Sequence, residues 1–549
     1  MLRVRWLGRV RYADALALQR ALFEGSPDDH LLLLEHPHVY TLGVRADMAN
    51  VLVPPAEVGA ELVRADRGGD VTYHGPGQLT GYPVLTVAGK RSGGSGGSGG
   101  MADTVAYVRS VEQLVIDVLA DLGLAGAGRL RGLPGVWIDP DSDRPRKVAA
   151  VGVKVARART MHGFALNVDP DLGFFYYIVP CGVPDKAVTS LAAEGLDVSM
   201  REVVDAVAAR AVERWGTSGW DRQDVTWRPP PRLRRGGATQ GLAIGERKPD
   251  WLRAPARMGP GYLGLKATMR DLSLATVCEE AGCPNIYECW ADGTATFMIN
   301  GRNCTRACGF CLVDTSHPEP LDEAEPERVA EAVDRMGLAF AVLTAVARDD
   351  LADGGAAAFA ASIRAIRRRR PATLVEVLIP DCKGDAGALE TIFAARPDVL
   401  NHNLEPVARL PRAVRPSAGY ARSLAVLARA KAAGLTTKSG LILGMGERDD
   451  EVEAALGDLR SVGVDIVTLG QYLRPTTHHV PIARWWTPEE FSRLAAYGES
   501  LGIGHVEASP LTRSSYHARQ AAATAVTATA SMTATAPAAA SGGGGASAG

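Results

Sequence analysis

Residues 278–311 read CEEAGCPNIYECWADGTATFMINGRNCTRACGFC and carry six of the chain's eight cysteines. The cysteines form two triplets, CxxxxCxxxxxC (Cys278, Cys283, Cys289) and CxxxCxxC (Cys304, Cys308, Cys311). Closely spaced thiolates suit iron–sulfur clusters or zinc. Grouping in threes favours two clusters, each with one iron left for another ligand, because structural zinc sites usually close with four ligands. Disulfides, a six-ligand zinc module and buried cysteines are the alternatives.

The CxxxCxxC spacing, preceded by CEEAGCPNIYECW, resembles the signature of the lipoyl synthase family of radical S-adenosylmethionine (SAM) enzymes. The resemblance runs from about residue 248 to residue 518. It implies that the second triplet holds a 4Fe–4S cluster that binds SAM and cleaves it to a 5′-deoxyadenosyl radical. It also implies that the first triplet, with Ser515 of the RSSYH segment at 513–517, holds an auxiliary 4Fe–4S cluster that is consumed as sulfur donor. A relative of biotin synthase is the alternative in this class, disfavoured by the first triplet and Ser515.

Strand and helix patterns alternate after the cysteines, which predicts parallel βαβ units and a barrel. The resemblance narrows this to a partial (β/α)6 TIM-type barrel, whose ligands sit at the carboxyl ends of the strands. Cys382 has no cysteine neighbours in sequence, and we expect it to be buried and inert. Seven residues at predicted strand ends are predicted to contact SAM: Gly354, Gly355, Asn403, Lys438, Gly440, Gly444 and Glu447. Ordinary loop capping is the alternative.

Residues 1 to about 225 have the pattern of a separate α/β domain. VRWLGRV predicts a strand, and a helix pattern follows it and ends at Gly25. FFYYIVPCGV predicts another strand that ends near Cys181, and Lys147 opens an apolar strand. A nucleophilic cysteine needs a nearby cation to favour its thiolate. The alternatives are a buried apolar cysteine and a lysine that only reaches the surface from a strand end.

Five short motifs, RGGDVTYHGPGQ, GVW, KVAAVGVK, HGFALNV and PCG, resemble the octanoyltransferase family, which is related in fold to biotin and lipoate ligases. The resemblance implies that Cys181 takes octanoate from octanoyl-acyl carrier protein as a thioester and passes it to a lipoyl-domain lysine. Lys147 would favour the thiolate and move protons. For the glycine-rich loop, a tight turn is the alternative reading. The implied acyl-binding residues are Arg67, Gly68, Gly69, Asp70, Val71, Thr72, Tyr73, His74, Ala150, Val151, Gly152, Gly163, Phe164 and Ala165.

The predicted organisation has four parts: an octanoyltransferase domain (1–221) with a Gly/Ser insertion at 91–100, a linker rich in Pro, Arg and Gly (222–247), a lipoyl synthase domain (248–520) and a disordered tail (521–549). Because the linker composition is flexible, we expect little coupling between the two active sites. The predicted function is two-step lipoate assembly, with sulfur inserted at C6 and C8. The alternative is a fusion in which one half only docks lipoyl domains.

The resemblances imply further partners: lipoyl domains of 2-oxoacid dehydrogenase E2 subunits, the glycine cleavage H protein and a reduced ferredoxin- or flavodoxin-type electron donor. The formal net charge of −2 gives no indication of nucleic acid or membrane binding. No apolar run reaches the roughly 18 residues that span a bilayer. The basic N-terminus has no apolar signal core. Free cysteines therefore predict a reducing cytosol.

Overall fold

The computed structural model describes residues 1–87, 103–227, 248–253, 260–280, 283, 285–291, 294–522 and 524. The predicted insertion at 91–100, most of the predicted linker and nearly all of the predicted tail lie outside these residues. No helix of the described part is both long and apolar enough to cross a membrane.

The first domain is built on a nine-stranded mixed sheet with a small three-stranded sheet beside it. The large sheet runs β12-β1-β2-β6-β10-β9-β8-β7 with β11 paired to β9, and the small sheet runs β4-β3-β5. Its elements are β1 (Leu2–Arg9), α1 (Tyr12–Gly25), β2 (Asp29–Glu35), β3 (Val39–Leu42), β4 (Glu61–Arg64), β5 (Val71–His74), β6 (Gln78–Val84), α2 (Thr104–Asp121), β7 (Ala127–Leu130), β8 (Leu133–Ile138), β9 (Arg146–Ala156), β10 (Arg159–Asn167), β11 (Ala187–Val188), α3 (Met200–Trp215) and β12 (Trp220–Asp224).

Both faces of this sheet are buried, because successive side chains of a strand point to opposite sides. In β2, Leu31 and Leu33 pack in the same core as α2 and α3. Leu32 and Leu34 pack in a second core, which contains the apolar residues of α1. The second core continues into the other domain.

The second domain contains an eight-stranded sheet in the order β13 to β20, in which all strands after β13 run parallel. This confirms the predicted α/β class, and no ladder joins the first and last strands among the described residues. Its elements are α4 (Pro260–Asp271), β13 (Ala275–Thr276), α5 (Val277–Glu280), α6 (Ile286–Ala291), β14 (Thr294–Ile299), α7 (Glu325–Arg335), β15 (Phe340–Ala345), α8 (Ala356–Arg369), β16 (Leu374–Leu378), α9 (Ala386–Ala394), β17 (Val399–Asn401), α10 (Pro411–Val414), α11 (Tyr420–Ala432), β18 (Thr436–Leu443), α12 (Asp449–Ser461), β19 (Ile466–Gln471), α13 (Pro488–Ser500) and β20 (His505–Ala508).

The prediction of a strand over FFYYIVPCGV is wrong. The segment forms two 3-10 turns, Leu172–Tyr177 and Pro180–Gly182. Phe174 stacks on His38 and Tyr73, with ring centroids 4.2 and 5.0 Å apart. Aromatic residues favour strands only where they fit a pleated surface, and here the rings pack on the small sheet instead.

Two predicted boundaries also shift. The first domain continues beyond residue 221, because β12 extends to Asp224 and pairs with β1, and Trp227 stacks on Trp6 at 4.3 Å. At the other end, Ala521 and Ala522 are helical and buried in a small apolar cluster with Phe340. The predicted tail therefore begins with packed residues.

The two domains share a core, so more than the predicted linker holds them together. Apolar residues of α1 pack against α11 in a cluster that joins both domains. In β1, Arg5 lies on the opposite face from Val4 and Trp6 and reaches α12, where its guanidinium contacts Asp458 at 2.8 Å. Asp221 of β12 accepts a second bond from Arg5 at 2.9 Å.

The Arg5–Asp458 pair is almost fully buried, with side chains 3% and 5% exposed. Burial opposes the charge of Arg5, but the two carboxylates outweigh it and raise the pKa of Arg5. A buried charge that loses its partner is strongly destabilising. The pair is therefore a constraint on how the two domains fit together.

We predict that Arg5→Met lowers the free energy of unfolding by about 3 kcal/mol, because Asp458 stays buried without its arginine. Denaturant unfolding, followed by circular dichroism, measures this. Arg210→Met is the matched control, since its pairs with Asp121 and Glu213 lie on the surface of the first domain and should matter little. Equal effects of the two changes would contradict a stabilising interface.

Candidate active sites

A pocket in the first domain opens between β5, β9, β10 and α1. Twelve of the fourteen residues predicted to bind an acyl chain line it. The two others, Val71 and Tyr73, pack in the core of the small sheet. They alternate along β5 with Thr72 and His74, which face the pocket, as expected from the two-residue period of a strand.

Sequence reasoning missed four pocket residues: Tyr12, Thr80, Tyr82 and His162. Tyr12 is the first residue of α1, and its aromatic ring indicates only burial in the core. His162 lies just before the predicted Gly163 and has a positive φ of 62°. This uncommon backbone conformation is not readable from the residue type.

Cys181 lines the same pocket from the tight turn Pro180–Gly182. Its φ is 56° and that of Gly182 is 69°, so both residues are left-handed. Such strain in a non-glycine residue clusters at functional sites. A Cβ at position 182 would lie 2.8 Å from Oδ2 of Asp70, so glycine is required there.

Lys147 brings a cation to this sulfur. Its Nζ lies 3.5 Å from Sγ of Cys181 and 4.7 Å from the ring centroid of Trp137. Gly135, with φ of 125°, makes room for the lysine, because a Cβ there would approach Cε of Lys147 to 3.2 Å. A cation at hydrogen-bond distance favours the thiolate, which is the nucleophilic form of cysteine.

Buried polar groups shape the inner wall of the pocket. Arg67 donates to the Thr41 carbonyl at 2.5 Å; burial lowers its pKa, against the opposing effects of Tyr12 and Cys181. Burial also holds the pKa of His74 well below its usual value, and His74 bonds to Gln78 at 2.8 Å. A neutral imidazole beside a hydrogen-bonded guanidinium gives the pocket a fixed floor with one positive charge.

The loop of Cys304, Cys308 and Cys311 is held by backbone bonds from three sides. The N–H of Cys304 donates to the Asp314 carbonyl at 2.8 Å, and that of Gly309 donates to the Val414 carbonyl at 2.7 Å. His479 contacts the Cys311 carbonyl at 2.8 Å. The loop is therefore fixed relative to neighbouring parts of the second domain.

Two of the predicted SAM contacts, Asn403 and Gly440, lie side by side. Gly354 and Gly355 both have positive φ, and Gly355 directly precedes α8. A Cβ at Gly440 would lie 3.0 Å from Oδ1 of Asn403, an atom with no hydrogen-bond partner. Burial raises the pKa of Cys308 and Cys311, and the charge of Glu405, whose Oε2 is also without a partner, adds to this effect. Buried acceptors left without donors are what a polar ligand would satisfy.

Two predicted SAM contacts have protein partners instead. Lys438 is the third residue of β18, away from its carboxyl end, and pairs with Glu376 at 3.1 Å in full burial. Glu447 accepts bonds from the backbone of Gly444 and Met445 and from the Trp486 indole at 2.8 Å. Both residues therefore fit the alternative of a structural role, because groups of the protein already pair with their charged atoms.

The first cysteine triplet lies in one apolar cluster with Ile286 and Trp290. A hydrogen bond from Cys278 lowers the pKa of Cys283, helped by the Asn285 N–H and the charge of Arg513. The segment that carries Ser515 reaches this cluster, because the Leu511 carbonyl accepts from Asn285 at 2.7 Å and Tyr516 contacts Glu288. The structure thus joins the RSSYH segment to the first triplet.

The donors fit iron–sulfur clusters in their chemistry. The Arg306 N–H donates to Sγ of Cys304 at 3.4 Å, and backbone hydrogen bonds from Val313 and Asn285 reach the sulfurs of Cys311 and Cys283. Burial nevertheless raises the pKa of Cys311. Hydrogen bonds to sulfur are a feature of such sites. Within the described residues, no group of three His, Cys, Asp or Glu side chains is arranged to hold a metal ion.

Three family models match the chain. The "Lipoyl protein ligase A/B catalytic domain" covers residues 11–211, the "N-terminal domain of lipoyl synthase of Radical_SAM family" covers 238–283, and the "Radical SAM superfamily" covers 298–459. These matches confirm both resemblances.

Curated relatives agree with the second half. Lipoyl synthase of Rubrobacter xylanophilus is 54% identical over 56% of this chain and 96% of its own length. Lipoyl synthase of Mycobacterium avium is 55% identical over 50% of this chain and 92% of its own length. A solved bi-partite lipoate protein ligase from Thermoplasma acidophilum is 20% identical, with a TM-score of 0.33 over 41% of this chain and 87% of that one.

A radical SAM region and a ligase-type transferase domain thus lie in one polypeptide, and the chain belongs to the lipoyl synthase family, extended at its N-terminus by a lipoyl protein ligase A/B catalytic domain.

Proposed function

We propose that this chain assembles the lipoyl group in two steps: octanoyl transfer to a lipoyl-domain lysine, then insertion of two sulfurs at C6 and C8. The observation that carries the proposal is the 3.5 Å approach of Lys147 to Cys181 at the pocket, in a chain that also holds a lipoyl synthase region. The first reaction makes what the second consumes.

In the first step, the thiolate of Cys181 attacks the thioester carbonyl of octanoyl-acyl carrier protein and expels the carrier thiol. Lys147 takes the cysteine proton and returns it to the departing sulfur. The lysine amine of the lipoyl domain then attacks the acyl enzyme and expels the Cys181 thiolate. Lys147 accepts the proton of that amine and passes it to Cys181, which restores the starting state.

In the second step, Cys304, Cys308 and Cys311 hold one 4Fe–4S cluster, and Cys278, Cys283, Cys289 and Ser515 hold the other. When bound, the first cluster and SAM supply a hydrogen-abstracting radical and the second cluster supplies sulfur. The chain's own groups position the cosubstrate: Asn403 and Glu405 present free acceptor atoms, and Gly440 leaves space beside them. A reduced ferredoxin- or flavodoxin-type protein supplies electrons.

The lipoyl domains of 2-oxoacid dehydrogenase E2 subunits and of the glycine cleavage H protein are the proposed acceptors, in the cytosol, where thiols stay reduced. The test is incubation of the reconstituted protein with octanoyl-acyl carrier protein, apo lipoyl domain, SAM and reductant, with the product mass measured. A domain that gains the octanoyl group but no sulfur, or gains neither, would favour the alternative of a docking fusion with an inactive half.

Cys181→Ala should reduce octanoyl transfer on the order of a thousandfold or more, because no acyl enzyme can form. Sulfur insertion into a pre-octanoylated domain should persist, since Cys181 contributes nothing to the second domain. Intact mass measures both. Loss of both activities in a folded, iron-replete variant would contradict separate active sites.

Lys147→Met should slow octanoyl transfer about 10²- to 10⁴-fold, the usual range for losing a general acid–base. The alkylation rate of Cys181 by iodoacetamide should fall too, once the cluster cysteines are blocked. Lys186→Met is the matched control, because this lysine lies five residues beyond Cys181 and pairs with Asp185. If Lys147→Met behaved like this control, Lys147 would not be the partner of Cys181.

The reconstituted protein should bind about eight irons per chain, four for each triplet. Cys304→Ala should stop SAM cleavage, whereas Cys283→Ala should leave 5′-deoxyadenosine formation without sulfur insertion. Iron analysis and chromatography of the nucleoside products measure these outcomes. About four irons in the intact protein, or equal loss of SAM cleavage in both variants with the other cluster present, would contradict the division of roles.

A further inference from the structure

Helix α1 belongs to the first domain but ends a chain of ion pairs that starts at the second cysteine triplet. Asp14 of α1 is 2% exposed. Its Oδ1 accepts from Nη2 of Arg429 at 2.8 Å, and its Oδ2 lies 3.8 Å from Nε of Arg422. Both arginines come from α11 of the second domain. Asp14 is thus a buried acid whose cations are supplied across the domain interface.

The chain continues from Arg422 into the interior of the second domain. Arg422 contacts Oδ2 of Asp381 at 3.4 Å, and Asp381 is fully buried. Oδ1 of Asp381 accepts from Nη2 of Arg306 at 2.7 Å. Arg306 in turn makes a two-point contact with Asp349 at 2.7 and 2.8 Å. Charges of alternating sign therefore run from α1 to Arg306.

Arg306 lies between Cys304 and Cys308, and its backbone N–H donates to Sγ of Cys304. A second set of contacts reinforces the link. Arg11 donates to the Lys383 carbonyl at 3.2 Å, and Nζ of Lys383 donates to the Asp349 carbonyl at 2.7 Å. Both sets join α1 to residues that position the loop.

We infer that Asp14 is a positioning residue for the loop of Cys304, Cys308 and Cys311, although it belongs to the other catalytic domain. Without its carboxylate, Arg422 is left with Asp381 as its anion and draws Asp381 toward itself. Asp381 then holds Arg306 less firmly, and the loop loses one of its anchors. In a low-dielectric interior such pair energies are large enough to shift side-chain positions.

The same helix also touches the acyl pocket. Tyr12, two residues before Asp14, lines the pocket, and Oε1 of Gln19 accepts from the N–H of His162 at 2.9 Å. One rigid element therefore contacts the floor of one site and the ion-pair chain of the other. A contiguous network is only a route for coupling until coupling is measured.

The experiment uses the full-length protein free of iron, so that its outcome does not depend on the proposed cluster roles. Alkylation rates of individual cysteines are measured by peptide mass. In Asp14→Asn, Cys304, Cys308 and Cys311 should react about fivefold faster, at the lower end of typical coupling. Cys278, Cys283 and Cys289 should react at the wild-type rate and serve as internal references.

Asp458→Asn is the matched control. It neutralises another buried interdomain acid, but Arg5 and Tyr420, the partners of Asp458, do not contact Arg306. In this variant, Cys304, Cys308 and Cys311 should be alkylated at the wild-type rate. Unchanged rates in Asp14→Asn would overturn the inference. The same acceleration in Asp458→Asn would overturn it too, because any loosening of the interface would then be enough to expose the cysteines.

Arg422→Gln breaks the same chain from within the second domain and serves if Asp14→Asn does not fold; it should accelerate the triplet equally. In the double variant Asp14→Asn/Arg422→Gln the acceleration should stay near that of either single change, because both act through one route. If the two accelerations multiplied in the double variant, Asp14 and Arg422 would act independently, and the ion-pair chain would be refuted. In reconstituted protein, the electron paramagnetic resonance spectrum with SAM should differ from wild type in Asp14→Asn and not in Asp458→Asn.

Discussion

Two buried carboxylates, Asp14 and Asp458, constrain the whole molecule, because each depends on arginines from the other domain. Asp14 is held by Arg429 and Arg422, and Asp458 is held by Arg5. Each acid keeps its charge in the closed interface because arginines of the other domain lie beside it. The sequence between the domains has a flexible composition, yet the relative placement of the domains is fixed by charge pairing and a common apolar core.

This placement explains why β1 contains arginines within an apolar strand. Leu2, Val4 and Trp6 face α2 and α3, while Arg3 and Arg5 face the second domain. A strand that is buried on both sides must satisfy both neighbours. Arg5 therefore has an acid of the other domain, Asp458, as a partner, whereas Arg3 pairs with Asp28 and Asp221 of its own domain. The first strand of the chain therefore packs against both domains.

The sequence predicted the families better than the geometry. Cysteine spacing and short motifs identified both families, because few residue patterns supply those ligands or that thiol–cation pair. The pocket residues of β5, β9 and β10 followed from motifs, but Tyr12 and His162 did not, since their role depends on packing between distant elements. The aromatic run before Cys181 was misread because ring stacking on His38 outweighs strand propensity. Lys438 was placed at a strand end because register is not visible in one sequence.

The shared core also has a consequence for biosynthesis. The sheet of the first domain can close once Asp224 has been made, but the apolar face of α1 gains its cover only when α11 and α12 follow, about 230 residues later. At typical rates of synthesis this takes roughly 10 to 50 seconds. Throughout that interval the transferase domain exposes the apolar face of α1 and the carboxylate of Asp14, both of which the complete protein covers.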